Sequence, residues 1–199
     1  LVEVQFKDTI NQDILGMMNT KYIIMRDEQT PRLTAVLNPS ACGHAWFVDN
    51  VKFVLNADQE IEAITNFSPK AEAIVHQEFR ELISNVPLTK RQPKDRIDLV
   101  SYSPDHMIYQ SNTQSANLAV FSEIYYNKGW KMLIDGVEKP YFRANYVLRA
   151  AKIPAGNHKV EFIFNPDSYY TGEKISLAGS FLLVLLLAGA AFVRFRKFD

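Results

Sequence analysis

The segment that most constrains this 199-residue chain is residues 175–193, which contain no charged side chain. As a helix rising about 1.5 Å per residue, the segment would be roughly 28 Å long, close to the ~30 Å hydrocarbon core of a bilayer. The alternative is a buried core helix, which would need a large protein around it. The sequence therefore predicts a transmembrane helix over residues 175–193.

The charges divide around this helix. Residues 194–199 carry a net charge of +2 and residues 1–174 a net charge of −2, so the chain sums to zero. Basic residues are favoured on the cytoplasmic side of a membrane. We therefore expect a cytoplasmic tail at 194–199, a large extracytoplasmic domain and a lipid bilayer as partner. The zero net charge removes any general electrostatic case for nucleic-acid binding.

Two further features near the ends of the chain each leave two interpretations open. Tyr169 and Tyr170 precede the helix either as interfacial aromatic anchors or as ordinary strand-end residues. An exported domain needs a signal peptide or an earlier membrane span, and residues 1–10 have neither pattern. The chain is thus either tail-anchored with a cytoplasmic domain, or the last part of a longer membrane protein, which the basic tail and the missing initiator Met favour.

Residues 1–95 predict a small α/β segment. Asn56 can cap a helix that runs through Ile64, with Ile61 and Ile64 on one face. Residues 68–83 fit either a helix or a strand. The other predicted elements are a short helix that Thr9 and Gln12 begin as a capping box, a buried strand at 21–25, a strand at 33–37, and an extended stretch at 44–55 with a bend at Asp49-Asn50.

Residues 84–96 are polar and basic and contain two prolines, which indicates a boundary or a long exposed loop. From residue 97 onward, six short strand patterns alternate with turn residues. No comparable helical segment separates them, so residues 96–172 predict a β-sandwich rather than a parallel α/β sheet. The predicted fold class is mainly β (α+β): an extracytoplasmic β-sandwich preceded by a small α/β segment and followed by one C-terminal transmembrane helix.

The sequence offers little support for a metal site, a cofactor or a nucleophile. Its four histidines lack metal-ligand spacing, and it contains no phosphate-binding glycine loop. The lone Cys42 excludes an intrachain disulfide and a multi-cysteine zinc site. For Cys42 itself, a buried small hydrophobic residue is favoured over a nucleophile beside His44. We expect no cofactor, no metal and no catalytic residue in this chain.

Residues 125–166 combine aromatic and polar side chains more densely than any other segment. Aromatic rings stack on the apolar faces of sugars, while amides and charged groups bond their hydroxyls. Trp130, Tyr126, Arg143 and Asn145 are the candidates for such a sugar contact. The alternative places Trp130 in the sandwich core and Arg143 in solvent.

The stretch GWKMLIDGVEKPYFRANYVLRAAKIPAGNHKVEFIFNP resembles the C-terminal extracytoplasmic signature of the bacterial YfhO-family membrane proteins. The shared pattern is a Gly-Trp, a DG hairpin, an RAN stretch and a PAG-H turn before a last strand and a membrane helix. Upstream, MMNTKYIIM and NPSACGHAWFVD resemble further stretches of that family, in the form found in Bacteroidetes-type sequences. One departure is Cys42-Gly43-His44, where an apolar residue and a small polar one are expected.

The resemblance implies a polytopic protein of the glycosyltransferase type C kind in the bacterial inner membrane. Such proteins are implicated in moving sugars from lipid-linked donors onto envelope glycopolymers. Their acidic catalytic residues lie in an early extracytoplasmic loop that this chain does not contain, so no catalytic residue is carried over. The partners implied are an upstream transmembrane region of the same protein, a lipid-linked sugar and an envelope glycan. A structural or interaction module without sugar contact is the competing hypothesis.

Overall fold

The computed structural model describes residues 11–26, 32–84 and 91–196. The helices of this part of the chain are α1 Gln12–Met17, α2 Ala57–Thr65, α3 Arg80–Ile83 and α4 Asp167–Arg196, with a 3-10 turn at Gln77–Phe79. The strands are β1 Tyr22–Arg26, β2 Leu33–Leu37, β3 Ala45–Val48, β4 Asn50–Val54, β5 Glu72–His76, β6 Arg96–Ser103, β7 His106–Thr113, β8 Asn117–Ile124, β9 Trp130–Ile134, β10 Val137–Lys139, β11 Phe142–Ala144, β12 Leu148–Ile153 and β13 Gly156–Phe164.

Within the described residues, the strands form three sheets. A five-stranded sheet has the order β10-β9-β13-β7-β6, and a six-stranded sheet has the order β3-β8-β12-β11-β5-β4. The third sheet is the β1–β2 hairpin alone. Among these described strands, β4 and β5 are the one pair that runs in parallel. The six-stranded sheet takes β3, β4 and β5 from before residue 95 and its other strands from after it.

The six-stranded sheet is buried on both faces, which the period-two alternation of its strands shows. On β8, Ala119 and Phe121 face a core shared with the five-stranded sheet, whereas Leu118 and Val120 face a core shared with α2. In the first core the ring of Phe121 lies 4.9 Å from that of Phe162, with the two rings edge to face. Burying each such ring contributes about 1.5–3 kcal/mol. The predicted mainly β fold with facing sheets is confirmed.

The prediction for α2 is right in its bounds and wrong in its buried face. The side chain of Asn56 accepts a hydrogen bond from the backbone N–H of Gln59, as an N-cap does. Ile64 is buried, but Ile61 is 46% exposed. The buried face runs instead through Glu60, Ala63 and Ile64, because a buried ion pair, described below, draws Glu60 inward.

The structure decides the ambiguous residues 68–83. Ala73, Ile74 and Val75 are fully buried in β5, inside the six-stranded sheet. Only short helical turns follow, in residues 77–83. These three consecutive apolar side chains are buried on both faces of the sheet. A continuous apolar run is typical of a strand that is buried on both faces.

The prediction of a buried strand at residues 21–25 is wrong in its burial. A strand forms at Tyr22–Arg26, but in the part of the chain that the structure describes it pairs only with β2, and the two strands form a sheet of their own. Ile24 is therefore 71% exposed. The predicted cap at Thr9 lies outside the described residues. Asn11 caps α1, accepting hydrogen bonds from the N–H groups of Asp13 and Ile14.

The last helix, α4, begins earlier than the sequence predicted. Residues Asp167–Ala191 are long and apolar enough to cross a membrane, and none of the apolar window is buried against the rest of the protein. Tyr169 and Tyr170 consequently lie in the first turn of this helix rather than at the end of a strand. Their position agrees with the interfacial interpretation.

Candidate functional site

An open groove of about 540 Å³ lies along the β9–β10 hairpin. Its aromatic wall contains Tyr125 and Tyr141, whose ring centroids lie 5.7 Å apart, edge to face. The hydroxyl of Tyr141 donates a hydrogen bond to the backbone carbonyl of Tyr126, 2.8 Å away. The groove is lined by Tyr125, Asn127, Trp130, Lys131, Met132, Glu138, Lys139, Pro140 and Tyr141.

Trp130 is the central aromatic residue of this groove, and a buried cation fixes it. The guanidinium carbon of Arg149 lies 4.1 Å from the centre of the indole ring. Arg149 is only 3% exposed, and its Nε donates to the carbonyl of Ile124 at 3.0 Å. Burial lowers the pKa of Arg149, while the tyrosines and Glu123 around it favour the charged form. The cation–π contact holds the indole in place while the half-buried ring still lines the groove.

The turn at Asp135-Gly136 determines which residues line the groove. Both residues have positive φ, 51° and 80°, as the central pair of a type I′ hairpin requires. The resulting register pairs Ile134 with Val137 and Met132 with Lys139. Continuing that register by two residues brings Trp130 beside Tyr141.

Arg143 lies away from this groove and makes an internal contact. Its Nη2 donates to the Oε2 atom of Glu60 at 3.1 Å, and Glu60 is fully buried. The other carboxylate oxygen of Glu60 accepts a hydrogen bond from the backbone N–H of Tyr146 at 2.9 Å. Arg143 therefore ties β11 to α2.

Asn145 is fully buried and also holds two elements together. Its side-chain oxygen accepts a hydrogen bond from the backbone N–H of Ile74 at 2.8 Å. The backbone N–H of Asn145 donates in turn to the backbone carbonyl of Ile74, also at 2.8 Å. Asn145 thus extends the pairing of β11 with β5. Of the four predicted sugar contacts, only Trp130 lines the groove. Tyr126 lies next to it with a 52% exposed side chain.

Sequence reasoning missed most of the groove. Tyr125 and Tyr141 belong to its aromatic wall, and the polar rim contains Asn127 and the pair Lys131–Glu138, whose charged atoms lie 4.0 Å apart. A signal was available for Tyr141. Counting outward from the turn at 135–136 places it opposite Trp130, so the hairpin register alone predicts that contact.

The described residues offer no arrangement for metal binding: no three His, Cys, Asp or Glu side chains lie together in a way that could hold an ion. Cys42, predicted as a buried small hydrophobic residue, is half-buried and packs against the core shared with α2, and burial raises the pKa of its thiol to about 11. A thiol with so high a pKa holds little thiolate at neutral pH, which argues against the nucleophile alternative.

The groove is fixed to the start of α4 by a short junction. Only Asn165 and Pro166 separate β13 from α4, and the N–H of Asn165 donates to the carbonyl of Gly129 at 2.6 Å. Gly129 has a φ of 82°, and a Cβ there would lie 2.8 Å from atoms of both Phe164 and Pro166. Glycine is therefore needed where the residue before Trp130 packs against the junction.

Comparison with known proteins agrees with the sequence motifs. The family model described as "Bacterial membrane protein YfhO" matches residues 88–176. The match spans β6 to β13, the groove and the first residues of α4. Neither a curated protein nor a solved structure matches the chain. The matched residues, together with the closing apolar helix, support a fragment of a YfhO-family bacterial membrane protein.

Proposed function

We propose that this chain is the C-terminal extracytoplasmic domain and last membrane helix of a polytopic YfhO-like protein of the bacterial inner membrane. The whole protein would transfer a glycosyl group from a lipid-linked sugar to an envelope glycopolymer. Catalytic residues are assigned to an upstream membrane region. The role of this chain is to recognise the sugar acceptor, with Tyr125, Trp130 and Tyr141 as the aromatic contacts in the groove and the exposed Tyr126 beside them. Arg143 and Asn145 are structural in this proposal, because they hold β11, the strand that follows Tyr141, to α2 and β5.

The observation that carries this proposal is the chemistry of the groove. Tyr125, Trp130 and Tyr141 offer apolar ring surface, and Asn127 and Glu138 provide hydrogen-bonding groups at its rim. Rings for the faces of a sugar and polar groups for its hydroxyls are the two requirements of a carbohydrate site. The junction to α4 keeps this surface near the start of the candidate membrane span, where a lipid-anchored acceptor would be.

Intrinsic fluorescence provides a direct test, because the chain contains only two tryptophans. Trp46 is 6% exposed and its indole N–H donates to the carbonyl of Pro69, so it reports on the core. In a Trp46→Phe background, with excitation at wavelengths too long for tyrosine to absorb, only Trp130 emits. Titrating the full chain in lipid nanodiscs with hexose and N-acetylhexosamine oligosaccharides should shift this emission and reach saturation. An emission spectrum that no oligosaccharide changes contradicts the proposal.

Rim variants make the test specific. Asn127→Ala and Glu138→Ala each remove one hydrogen-bonding group from an exposed position, which should weaken glycan binding about 3- to 10-fold. Gln110→Ala, at an exposed position on β7 outside the groove, is the matched control and should bind like the parent. Equal weakening by all three variants would count against a site in this groove.

A second candidate function, a structural or interaction module without sugar contact, is favoured by Arg143 and Asn145. Both form internal contacts, with Glu60 and with Ile74. Under this candidate, Trp130→Ala and Arg143→Ala lower the amount of folded protein, and glycosylation per folded molecule of the whole protein stays constant. Acceptor recognition predicts instead that glycosylation per folded molecule falls for Trp130→Ala and not for Arg143→Ala.

A further inference from the structure

The β1–β2 hairpin exposes apolar side chains on both faces. The register pairs Tyr22 with Leu37 and Ile24 with Ala35, so large apolar residues of both strands share one face, while Met25 and Val36 lie on the other. The exposed fractions are 56% for Tyr22, 71% for Ile24, 52% for Met25, 66% for Leu33, 44% for Val36 and 57% for Leu37. A two-stranded hairpin is marginally stable in water by itself, and a contiguous apolar surface of this kind marks an interaction site.

The base of this hairpin is anchored at the end of β8. The hydroxyl of Ser122 lies 2.9 Å from the carbonyl oxygen of Met17 and 2.7 Å from that of Gly43, residues that flank the hairpin in sequence. The side chain of Asn38 donates to the carbonyl of Thr20 and closes the base. The base of the hairpin therefore lies beside Ser122, which is two residues before Ile124, the last residue of β8.

That end of β8 is also the end from which α4 departs. A loop of five residues connects Ile124 to Trp130, and Trp130 pairs with Phe164 in the register of β9 and β13. Phe164 precedes the first residue of α4, Asp167, by three positions. Ile124 and Tyr126 lie at this end of the domain with side chains that are 53% and 52% exposed, so this end presents apolar groups besides those of the hairpin.

We propose that the β1–β2 hairpin lies in the interfacial layer of the same bilayer that α4 crosses, as a second membrane contact of the domain. Chain connectivity identifies the occupant, since a span that begins three residues after Phe164 keeps this end of the domain at the membrane surface. Within the described residues, the outer backbone edges of β1 and β2 pair with no further strand, which restricts the hairpin to the headgroup region, where water and lipid polar groups satisfy them.

The driving force of this contact is apolar burial rather than charge. Lys21, Arg26 and Arg32 are exposed cations beside the hairpin, but the connecting residues add Asp27 and Glu28, leaving a net charge of +1. A single net charge gives little preference for anionic lipid. The hairpin should therefore contact zwitterionic and anionic bilayers to a similar extent.

Fluorescence quenching by lipids tests the contact in the full chain. A bimane label on Ile24→Cys, in a Cys42→Ser background, is reconstituted into phosphatidylcholine vesicles with and without 25% phosphatidylglycerol, each containing doxyl-labelled lipid. The matched control is Val137→Cys. Val137 is 57% exposed and pairs with Ile134, at the end of β9 opposite to Trp130. The label at position 24 should shift to shorter wavelength and lose most of its fluorescence to the doxyl groups. The label at position 137 should do neither.

Two results would overturn the proposal. Equal quenching at positions 24 and 137 would show that the hairpin has no special relation to the bilayer. A blue-shifted label at position 24 that doxyl lipids do not quench would show that protein covers the hairpin, either a second copy or another membrane segment. Both labelled positions are exposed, so loss of folding does not confuse the comparison.

Discussion

Glu60 has a fully buried carboxylate in a described core that is otherwise largely apolar. Its two oxygens accept from the guanidinium of Arg143 and from the backbone N–H of Tyr146. A buried carboxylate without such partners would be costly, so each bond matters more than a surface ion pair does. The RAN stretch thus connects to a helix more than eighty positions earlier in the chain.

Replacing Glu60 by Ala should therefore lower the free energy of unfolding by about 2–3 kcal/mol, somewhat less than for a fully buried pair, because the side chain of Arg143 is 30% exposed. Denaturant unfolding of the full chain in detergent micelles measures this change. Glu62→Ala, an exposed carboxylate two residues along the same helix, is the control and should stay within about 0.5 kcal/mol of the parent. Comparable losses in both variants would contradict the assigned role of Glu60.

The residues also show what sequence can reveal about the site. Trp130 was predictable from its aromatic and polar neighbours, and Tyr141 from the hairpin register. Arg143 and Asn145 have the same residue types as a sugar site, yet their partners lie 83 and 71 positions away in the chain. No local pattern encodes a contact of that separation, so local reasoning could not distinguish a ligand-binding amide from one that joins two strands.

At the level of the elements, two turns are fastened together by His158. Its Nδ1 lies 2.6 Å from a carboxylate oxygen of Asp135, in the β9–β10 turn, and its Nε2 lies 2.9 Å from the carbonyl of Ala155, before β13. Both neighbours are acceptors, so the cationic imidazole, in which both ring nitrogens donate, is the form that satisfies both contacts. The hydrogen bond with Asp135 raises the pKa of His158 and lowers the pKa of Asp135.

The pH dependence of stability follows from these two pKa directions. The contribution of His158 to the free energy of unfolding is complete at pH values below the pKa of the residue in the unfolded chain, near 6.5. That contribution is lost as the pH rises through the raised pKa of His158 in the folded protein. The contribution of Asp135 is lost at the acid end, as the pH falls through its lowered folded pKa. His158→Asn should therefore lower the Tm more at about pH 5.5 than at about pH 8.5.

Thermal unfolding in micelles at the two pH values checks this expectation. His44→Asn, which changes an exposed histidine in another part of the domain, provides the control for the general effect of losing an imidazole. A Tm difference between His158→Asn and the parent that is the same at both pH values would contradict the charged state assigned to His158.

The strands after residue 96 were the most predictable elements, since turn residues separate short runs that alternate apolar and polar side chains. The three-residue strands β10 and β11 were missed because so short a run carries no period. Burial was less predictable. The run Tyr22–Met25 has the composition of a core strand, yet most of its side chains are exposed. On α2, Glu60 is buried and Ile61 is exposed, the reverse of what their polarity suggests. Tertiary partners decided both outcomes.

At the level of the whole molecule, the orientation of the domain can be tested by labelling two single-cysteine variants. The basic tail predicts that the domain lies outside the cytoplasm. A membrane-impermeant maleimide should then label Val137→Cys, in a Cys42→Ser background, in intact spheroplasts. Lys197→Cys in the tail should react only after permeabilisation. The reverse pattern of labelling would assign the domain to the cytoplasm.

The two-residue junction between β13 and α4 has a consequence for how the groove meets its partner. The hydrogen bond of Asn165 to Gly129 and the packing of Pro166 beside it hold the start of α4 close to the groove. If α4 crosses the bilayer, the groove moves within a thin layer parallel to the membrane. A lipid-anchored acceptor would then reach it by diffusion in two dimensions, and the frequency of encounters would depend on surface density rather than on concentration in solution.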